Sequence, residues 1–146
     1  MSRLASNETL LRTVSVSGTP TYVYDLNALM LQIRRYRAAF PETGFTLLFA
    51  TMANPAIEIL TLLAREGVGA CVNSVPHLRL AMDCGIPPEK IQFTASGLAI
   101  DQMKTLMAAK VRVNLDSRCQ IAQWLALGGG PFGVRLNAGS LVGLAG

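Results

Sequence analysis

The chain has 146 residues, a mass of 15.6 kDa and a hydrophobic content of 51%, which allow one domain and exclude a disordered chain. Its thirteen Lys and Arg outnumber its nine Asp and Glu, but the basic residues are scattered, so nucleic-acid binding is a weak interpretation. No apolar run reaches the roughly 18 residues of a membrane-spanning helix, and residues 1–20 lack the apolar core of a secretory signal.

Taken in chain order, the sequence predicts a loose arm over residues 1–18, a short strand from Thr21 to Tyr24 and a helix from Leu26 to Phe40. Strands and helices then alternate. The predicted strands are Phe45 to Ala50, Ala70 to Asn73, Ile91 to Ala95, Val111 to Leu115 and Phe132 to Leu136. The helices between them cover Pro55 to Glu66, Pro76 to Cys84 and Ile100 to Ala109, and Ser117 is predicted to cap a last helix that runs through Leu127.

Strands that recur roughly every 20 to 24 residues, each followed by a helix, indicate an α/β fold with parallel strands and crossover helices. A doubly wound dinucleotide-binding sheet is disfavoured because the turn from Thr51 to Pro55 contains no glycine. A complete (β/α)₈ barrel needs about 250 residues. We therefore expect an incomplete TIM-type barrel of about five βα units over residues 19–146, after a flexible N-terminal arm at 1–18.

Polar residues lie at or near the predicted carboxyl ends of the strands, where parallel α/β proteins bind ligands. Helix capping is the alternative explanation for this pattern, because Asn and Ser favour strand-to-helix turns. Asp116 is either a charge at a helix N-terminus or an acid of the site. The residues that form the pattern are Asn54, Asn73, Ser74, Ser96, Asn114 and Asn137.

The glycine run from Gly128 to Gly130 precedes a strand, so it predicts a helix stop and not a phosphate loop. The single histidine, His77, is expected at a helix surface or cap, and it excludes a histidine-rich metal site. Cys71 is expected to be a small buried hydrophobe. Together with Cys84 and Cys119 it makes an odd set at unrelated spacings, which indicates reduced thiols, no metal site and a cytoplasmic protein.

Four segments, in order, resemble fold-type III pyridoxal-phosphate (PLP) enzymes, the group of ornithine, diaminopimelate, arginine and carboxynorspermidine decarboxylases. Thr19 to Asp25 is similar to their T-P-x-Y-V-Y-D segment, and Phe49 to Pro55 to their Y-A-x-K-A-N motif. The stretch from Gly67 to Ile91 is similar to G-x-G-x-D-V-x-S-x-x-E-L followed by G-x-P-P-E-R-I. Val134 to Asn137 is similar to L-R-V-N.

The resemblance implies the N-terminal part of a PLP-binding barrel, a dimer or other homo-oligomer, and loss of a carboxylate from a basic amino acid. It also aligns the family's cofactor lysine with Met52, its acid with Cys71 and its following glutamate with His77. Met52 is then either the remnant of a lost cofactor site or an ordinary core methionine. The resemblance assigns PLP contacts, if the cofactor binds at all, to Ala50, Met52, Asn54, Ser74, Ser96 and Arg135.

The chain's three lysines offer no evident replacement, because Lys90 and Lys110 precede strands and Lys104 lies within a helix. We therefore expect no catalytic residue and no decarboxylation by this chain as written. Two alternatives are a non-catalytic decarboxylase-like protein that binds a partner chain, and a PLP-binding racemase-like or PLP-homeostasis protein.

Overall fold

A computed structural model describes residues 6–40 and 44–136, in which the chain forms two compact units that divide between Phe45 and Thr46. The first unit contains helices α1 (Asn7–Ser17) and α2 (Leu26–Ala39). Helix α1 occupies most of the predicted loose arm and buries none of its residues. The predicted division into an arm at 1–18 and a barrel domain at 19–146 stays a prediction.

The predicted strand from Thr21 to Tyr24 is wrong, because this segment joins no strand ladder in the described part of the chain. Tyr22 and Tyr24 stack on each other, with 6.5 Å between ring centroids. The helix predicted from Leu26 is confirmed, and the Asp25 carboxylate caps it by accepting hydrogen bonds from the N–H groups of Asn27 and Ala28.

The second unit is a parallel sheet whose five strands lie side by side in chain order. The strands are β1 (Leu48–Ala50), β2 (Gly69–Val72), β3 (Ile91–Thr94), β4 (Arg112–Leu115) and β5 (Gly133–Val134). The helices that connect them are α3 (Ile57–Arg65), α4 (Val75–Asp83), α5 (Ile100–Ala109) and α6 (Arg118–Ala126), with a short 3₁₀ turn at Pro88–Lys90. The predicted βα alternation is therefore confirmed.

Several element boundaries differ from the predictions. Strand β1 begins at Leu48 and not Phe45, because its ladder partner β2 begins at Gly69, which pairs with Leu48. Helix α3 begins at Ile57 and not Pro55, because the Asn54 side chain accepts a hydrogen bond from the Ala56 N–H and holds the preceding turn. Strand β5 has two residues where five were predicted.

The two faces of the sheet have different chemistry. In the three central strands, β2, β3 and β4, every second residue, including Val72, Phe93 and Leu115, is buried in one apolar cluster with residues of α4, α5 and α6. The alternate residues face the other way, and the ladder register aligns them in rows across the sheet. One row is Ala50, Cys71, Gln92 and Arg112, and the next is Thr94, Asn114 and Gly133. We call this second surface the polar face.

The predicted helix stop at the glycine run is confirmed. Helix α6 ends at Ala126, and Gly128 takes a positive φ of 77° that closes it. The Trp124 indole N–H then donates to the Gly130 carbonyl at 2.8 Å, which ties the end of the helix to the segment that enters β5.

Candidate functional site at the carboxyl ends of the strands

The turn that follows β1 carries Met52, and its neighbour Thr51 anchors it. The Thr51 N–H donates to the Cys71 carbonyl at 3.0 Å, so it extends the ladder with β2. The Thr51 hydroxyl is fully buried, 3.1 Å from the His77 Nδ1 and 3.3 Å from the Cys71 carbonyl. Residue 52 is therefore held at the junction of β1, β2 and the first turn of α4.

Met52 is 67% exposed, so the interpretation as an ordinary core methionine is wrong. Its sulfur lies 3.8 Å from the side-chain nitrogen of Asn73, the residue that follows β2. The side chain thus lies at the carboxyl edge of the sheet, where the resemblance places the cofactor lysine. Ala50, directly before this turn, is also exposed and pairs with Cys71 in the ladder.

His77 lies in the first turn of α4 and is half-buried. The Ser74 hydroxyl caps this helix by accepting a hydrogen bond from the His77 N–H at 3.3 Å. The imidazole, however, contacts buried Thr51, so His77 is more than the surface or cap residue predicted from the sequence. Cys71 is half-buried and not a fully buried hydrophobe, because its side chain belongs to the polar face.

A second polar group lies at the ends of β3 and β4. The Ser96 hydroxyl donates to the Asp116 carboxylate in a short hydrogen bond. The carboxamide of buried Gln120, in α6, is assigned the orientation that gives each of its atoms a partner, in which its N–H donates to the other carboxylate oxygen at 3.1 Å. Its amide oxygen accepts from the N–H groups of Leu98 at 3.0 Å and Gly97 at 2.6 Å. Asp116 therefore joins two strand-to-helix turns.

The structure assigns the predicted polar residues to different tasks. Ser74 caps α4, as the alternative explanation holds, whereas Asn54 closes the turn before α3 through its hydrogen bond from the Ala56 N–H. Asn114 instead donates to Thr94 Oγ1 at 2.9 Å across the polar face. Asn137 lies outside the described residues. Arg135 follows β5, is exposed, and continues the ladder through its N–H bond to the Leu115 carbonyl at 2.9 Å.

Three polar residues of this edge were missed from the sequence: Thr51, Thr94 and Gln120. The Ser117-x-x-Gln120 spacing is typical of a capping box and is a signal that singles out Gln120. Ser117 does cap α6, as predicted, by accepting a hydrogen bond from the Gln120 N–H at 3.2 Å. No local signal marks Thr51 or Thr94, because their partners come from neighbouring strands.

The lysines lie away from this edge. The Lys90 ammonium donates to the Gly67 carbonyl at 3.1 Å, before the start of β2. Lys110 caps the end of α5 with a φ of 55°, and Lys104 is exposed within that helix. Across residues 6–40 and 44–136, no three His, Cys, Asp or Glu side chains come together as metal ligands. In those same ranges, no helix is long and apolar enough to cross a membrane.

A parallel sheet in chain order, backed by crossover helices and with polar side chains at its carboxyl edge, defines a partial α/β barrel. A family model described as the pyridoxal-binding domain of pyridoxal-dependent decarboxylases matches residues 26–138. The chain belongs to this family, which confirms the resemblance found in the sequence.

Curated relatives agree with this assignment. The diaminopimelate decarboxylase of Zymomonas mobilis is 36% identical over 108 residues, which cover 71% of this chain and 26% of the relative. The TabA protein of Pseudomonas amygdali is 32% identical, with coverage of 75% and 26%. This chain therefore spans about a quarter of the length of these relatives.

Solved structures show the same fold. Diaminopimelate decarboxylase from Helicobacter pylori, complexed with L-lysine, has a TM-score of 0.77 and 26% identity, covering 90% of this chain and 34% of that one. Arginine decarboxylase from a Paramecium bursaria Chlorella virus has a TM-score of 0.78 with 16% identity, covering 90% and 36%, and shows the fold alone. The predicted incomplete barrel is confirmed as the fold class of the described residues.

The residues at the carboxyl edge do not fit covalent attachment of PLP. An imine with the cofactor aldehyde needs a primary amine. Residue 52 offers a thioether, and all three lysines of the sequence are placed elsewhere.

Proposed function

We propose that this chain is the pyridoxal-binding part of a decarboxylase-like protein that does not form an imine with PLP. The observation that carries the proposal is Met52, exposed at the carboxyl edge where the resemblance places the cofactor lysine. Without an amine there, the family's covalent route is absent. The relatives named as diaminopimelate decarboxylases support a basic amino acid as the substrate class of the family reaction.

Non-covalent binding of PLP would depend on the remaining residues at this edge, which stay proposals. Asn54 and Ser74 are occupied in part by hydrogen bonds from backbone N–H groups, and the Ser96 hydroxyl hydrogen is directed to Asp116. Arg135 supplies an exposed cation for a phosphate. We expect such binding to be weak, because a single cation and backbone N–H groups replace a covalent bond.

The experiment is reduction with borohydride in the presence of PLP, followed by peptide mapping. The native chain should give weak, scattered labelling of lysines. Met52→Lys should trap PLP on residue 52 at about one per chain. The controls are Met52→Arg, a cation that forms no reducible imine, and Ile57→Lys, which places a lysine at another exposed apolar position.

Two results would contradict the proposal. Stoichiometric trapping on Lys90, Lys104 or Lys110 of the native chain would show that another lysine serves the cofactor. Equal trapping by Met52→Lys and Ile57→Lys would show that residue 52 does not lie at a cofactor position.

Binding of a partner chain is the second candidate, and the sheet edges favour it. Within the described residues β1 pairs only with β2 and β5 only with β4, so each outer strand has a free edge. Val134 on the β5 edge is 56% exposed. We propose a homo-oligomer or a complex with a partner chain. A monomer at high concentration in sedimentation experiments, with cooperative melting, would count against it.

We also propose a cytoplasmic location, where three free thiols would remain reduced.

A racemase-like or PLP-homeostasis function meets the same obstacle as decarboxylation. Those activities also use an imine of the cofactor by resemblance, and residue 52 offers no amine.

A further inference from the structure

A cavity of about 380 Å³ lies at the amino ends of β4 and β5, the end of the sheet opposite to the carboxyl edge. Its apolar lining includes Leu106 and Met107 from α5 and Trp124 from α6. Leu106 and Trp124 are buried, and the Trp124 indole N–H is already bound to the Gly130 carbonyl. The volume is in the range of small-molecule sites, and the lining suits an apolar group.

Two exposed cations, Lys110 and Arg112, also line this cavity. No Asp or Glu is among the described residues that line it. The surrounding sequence has the same sign: from residue 102 onward the chain has five Lys and Arg and one acid, Asp116, whereas residues 1–101 have eight of each sign. The whole net charge of +4 therefore comes from the part of the sequence that forms the cavity, and such an excess attracts anions.

Lys110 occupies a backbone position that favours glycine. It ends α5 with a φ of 55°, and within the described part of the chain no other residue except glycine has a positive φ. Helices α3, α4 and α6 are each closed by a glycine with positive φ, at Gly67, Gly85 and Gly128. A Cβ costs stability in this conformation, so the backbone gives no reason for a lysine at residue 110.

We propose that this cavity binds a small organic anion, a carboxylate with an apolar body. The carboxylate would pair with Lys110 and Arg112 through charge-assisted hydrogen bonds, and the apolar body would lie against Met107 and Trp124. The cavity shares no residue with the groups at the carboxyl edge. The proposal therefore goes beyond the proposed function, and its test needs no PLP.

Titration of the full chain with octanoate, followed by tryptophan emission and by calorimetry, tests the proposal. The native chain should bind octanoate saturably, whereas octan-1-ol and octylammonium, which have the same tail without the anion, should bind about tenfold more weakly. Lys110→Gly and Arg112→Gln should each weaken octanoate binding by about threefold to tenfold, and salt should weaken it in the native chain. Lys104→Gln is the matched control, because Lys104 is exposed in α5 but does not line the cavity.

Several results would overturn the proposal. Octanoate might be matched by octan-1-ol in affinity, which would show apolar binding alone, or weakened equally by Lys104→Gln, which would show diffuse attraction. The carbonyl end of α5 also attracts a cation, and if that alone explains Lys110, then Lys110→Gly lowers the unfolding midpoint and leaves octanoate binding unchanged. We expect the reverse, weaker binding with a midpoint that is not lowered, because glycine relieves the backbone strain.

Discussion

The Asn114 carboxamide lies over the backbone of Gly133, its ladder partner on the next strand. Its nitrogen donates to Thr94 Oγ1 at 2.9 Å, and its oxygen occupies the space that a side chain at residue 133 would need. One amide thus links three neighbouring strands on the polar face, and it does so because residue 133 has no Cβ.

Gly133→Ala should therefore destabilise the chain by about 0.5–1.5 kcal/mol, because the methyl group displaces the Asn114 carboxamide from its hydrogen bond with Thr94. The same substitution in an Asn114→Ala background should cost much less, because the obstructing oxygen is gone. Denaturant unfolding of the four chains measures both costs. Equal costs in the two backgrounds would contradict the contact.

A second glycine contact involves the only tryptophan of the sequence. Trp124 is buried, and a Cβ at Gly129 would overlap its indole ring. Gly129→Ala should lower stability by about 1–3 kcal/mol and change the native tryptophan emission, because the ring must move. Gly130→Ala is the matched control, since a Cβ there meets no atom within 4 Å. Identical emission and stability in the two variants would refute the contact.

The cysteines should differ in reactivity. All three are expected to be reduced, but Cys119 is exposed in the first turn of α6, whereas Cys71 and Cys84 are half-buried. Accessibility controls alkylation when thiols are otherwise ordinary. Native alkylation followed by mass spectrometry should therefore modify Cys119 first. Faster modification of Cys71, or an intramolecular disulfide, would contradict this assignment.

Local sequence patterns predicted the elements that depend on local interactions. Helix α5 occupies Ile100–Ala109 as predicted, and Ser117 caps α6 as predicted. Strand ends were less accurate, since an apolar run such as Phe45 to Ala50 does not reveal where the neighbouring strand begins. The strand predicted at Thr21 failed for a related reason: alternation indicates an extended segment but does not supply a ladder partner.

The candidate site also combines features that local sequence predicts with contacts that it does not predict. The role of Asn54 in the turn before α3 and that of Ser74 as the cap of α4 follow from residue type and position alone. The Ser96–Asp116 and Thr51–His77 contacts join residues 20 and 26 positions apart, so they depend on strand register and helix placement. The exposure of Met52 likewise depends on the turn after β1, which the pattern of apolar residues does not describe.

Gln120 provides the sharpest test of the group at the ends of β3 and β4. Gln120→Ala would leave the Gly97 and Leu98 N–H groups without their acceptor and remove one donor to Asp116. Leu98 is buried and Gly97 is exposed, so only the Leu98 N–H would lose its partner without replacement by water. One unsatisfied buried donor costs about 1–3 kcal/mol, and we expect a loss of this size. Gln123→Ala, three residues along the same helix, is the control and should cost less than about 1 kcal/mol.

Gln120→Glu should make the stability of the chain depend on pH, and the contact with Asp116 sets the direction of that dependence. The new carboxylate would keep an oxygen for the Gly97 and Leu98 N–H groups but would place its other oxygen against Asp116, where the amide nitrogen now donates. The repulsion raises the pKa of the introduced carboxyl in the folded state above its unfolded value of about 4.3. The folded variant then binds more protons than the unfolded chain, so its stability relative to the native chain falls as the pH rises through that interval. Urea unfolding of both chains between about pH 4 and pH 8 measures the difference. A difference that does not change with pH would show that residue 120 does not face Asp116.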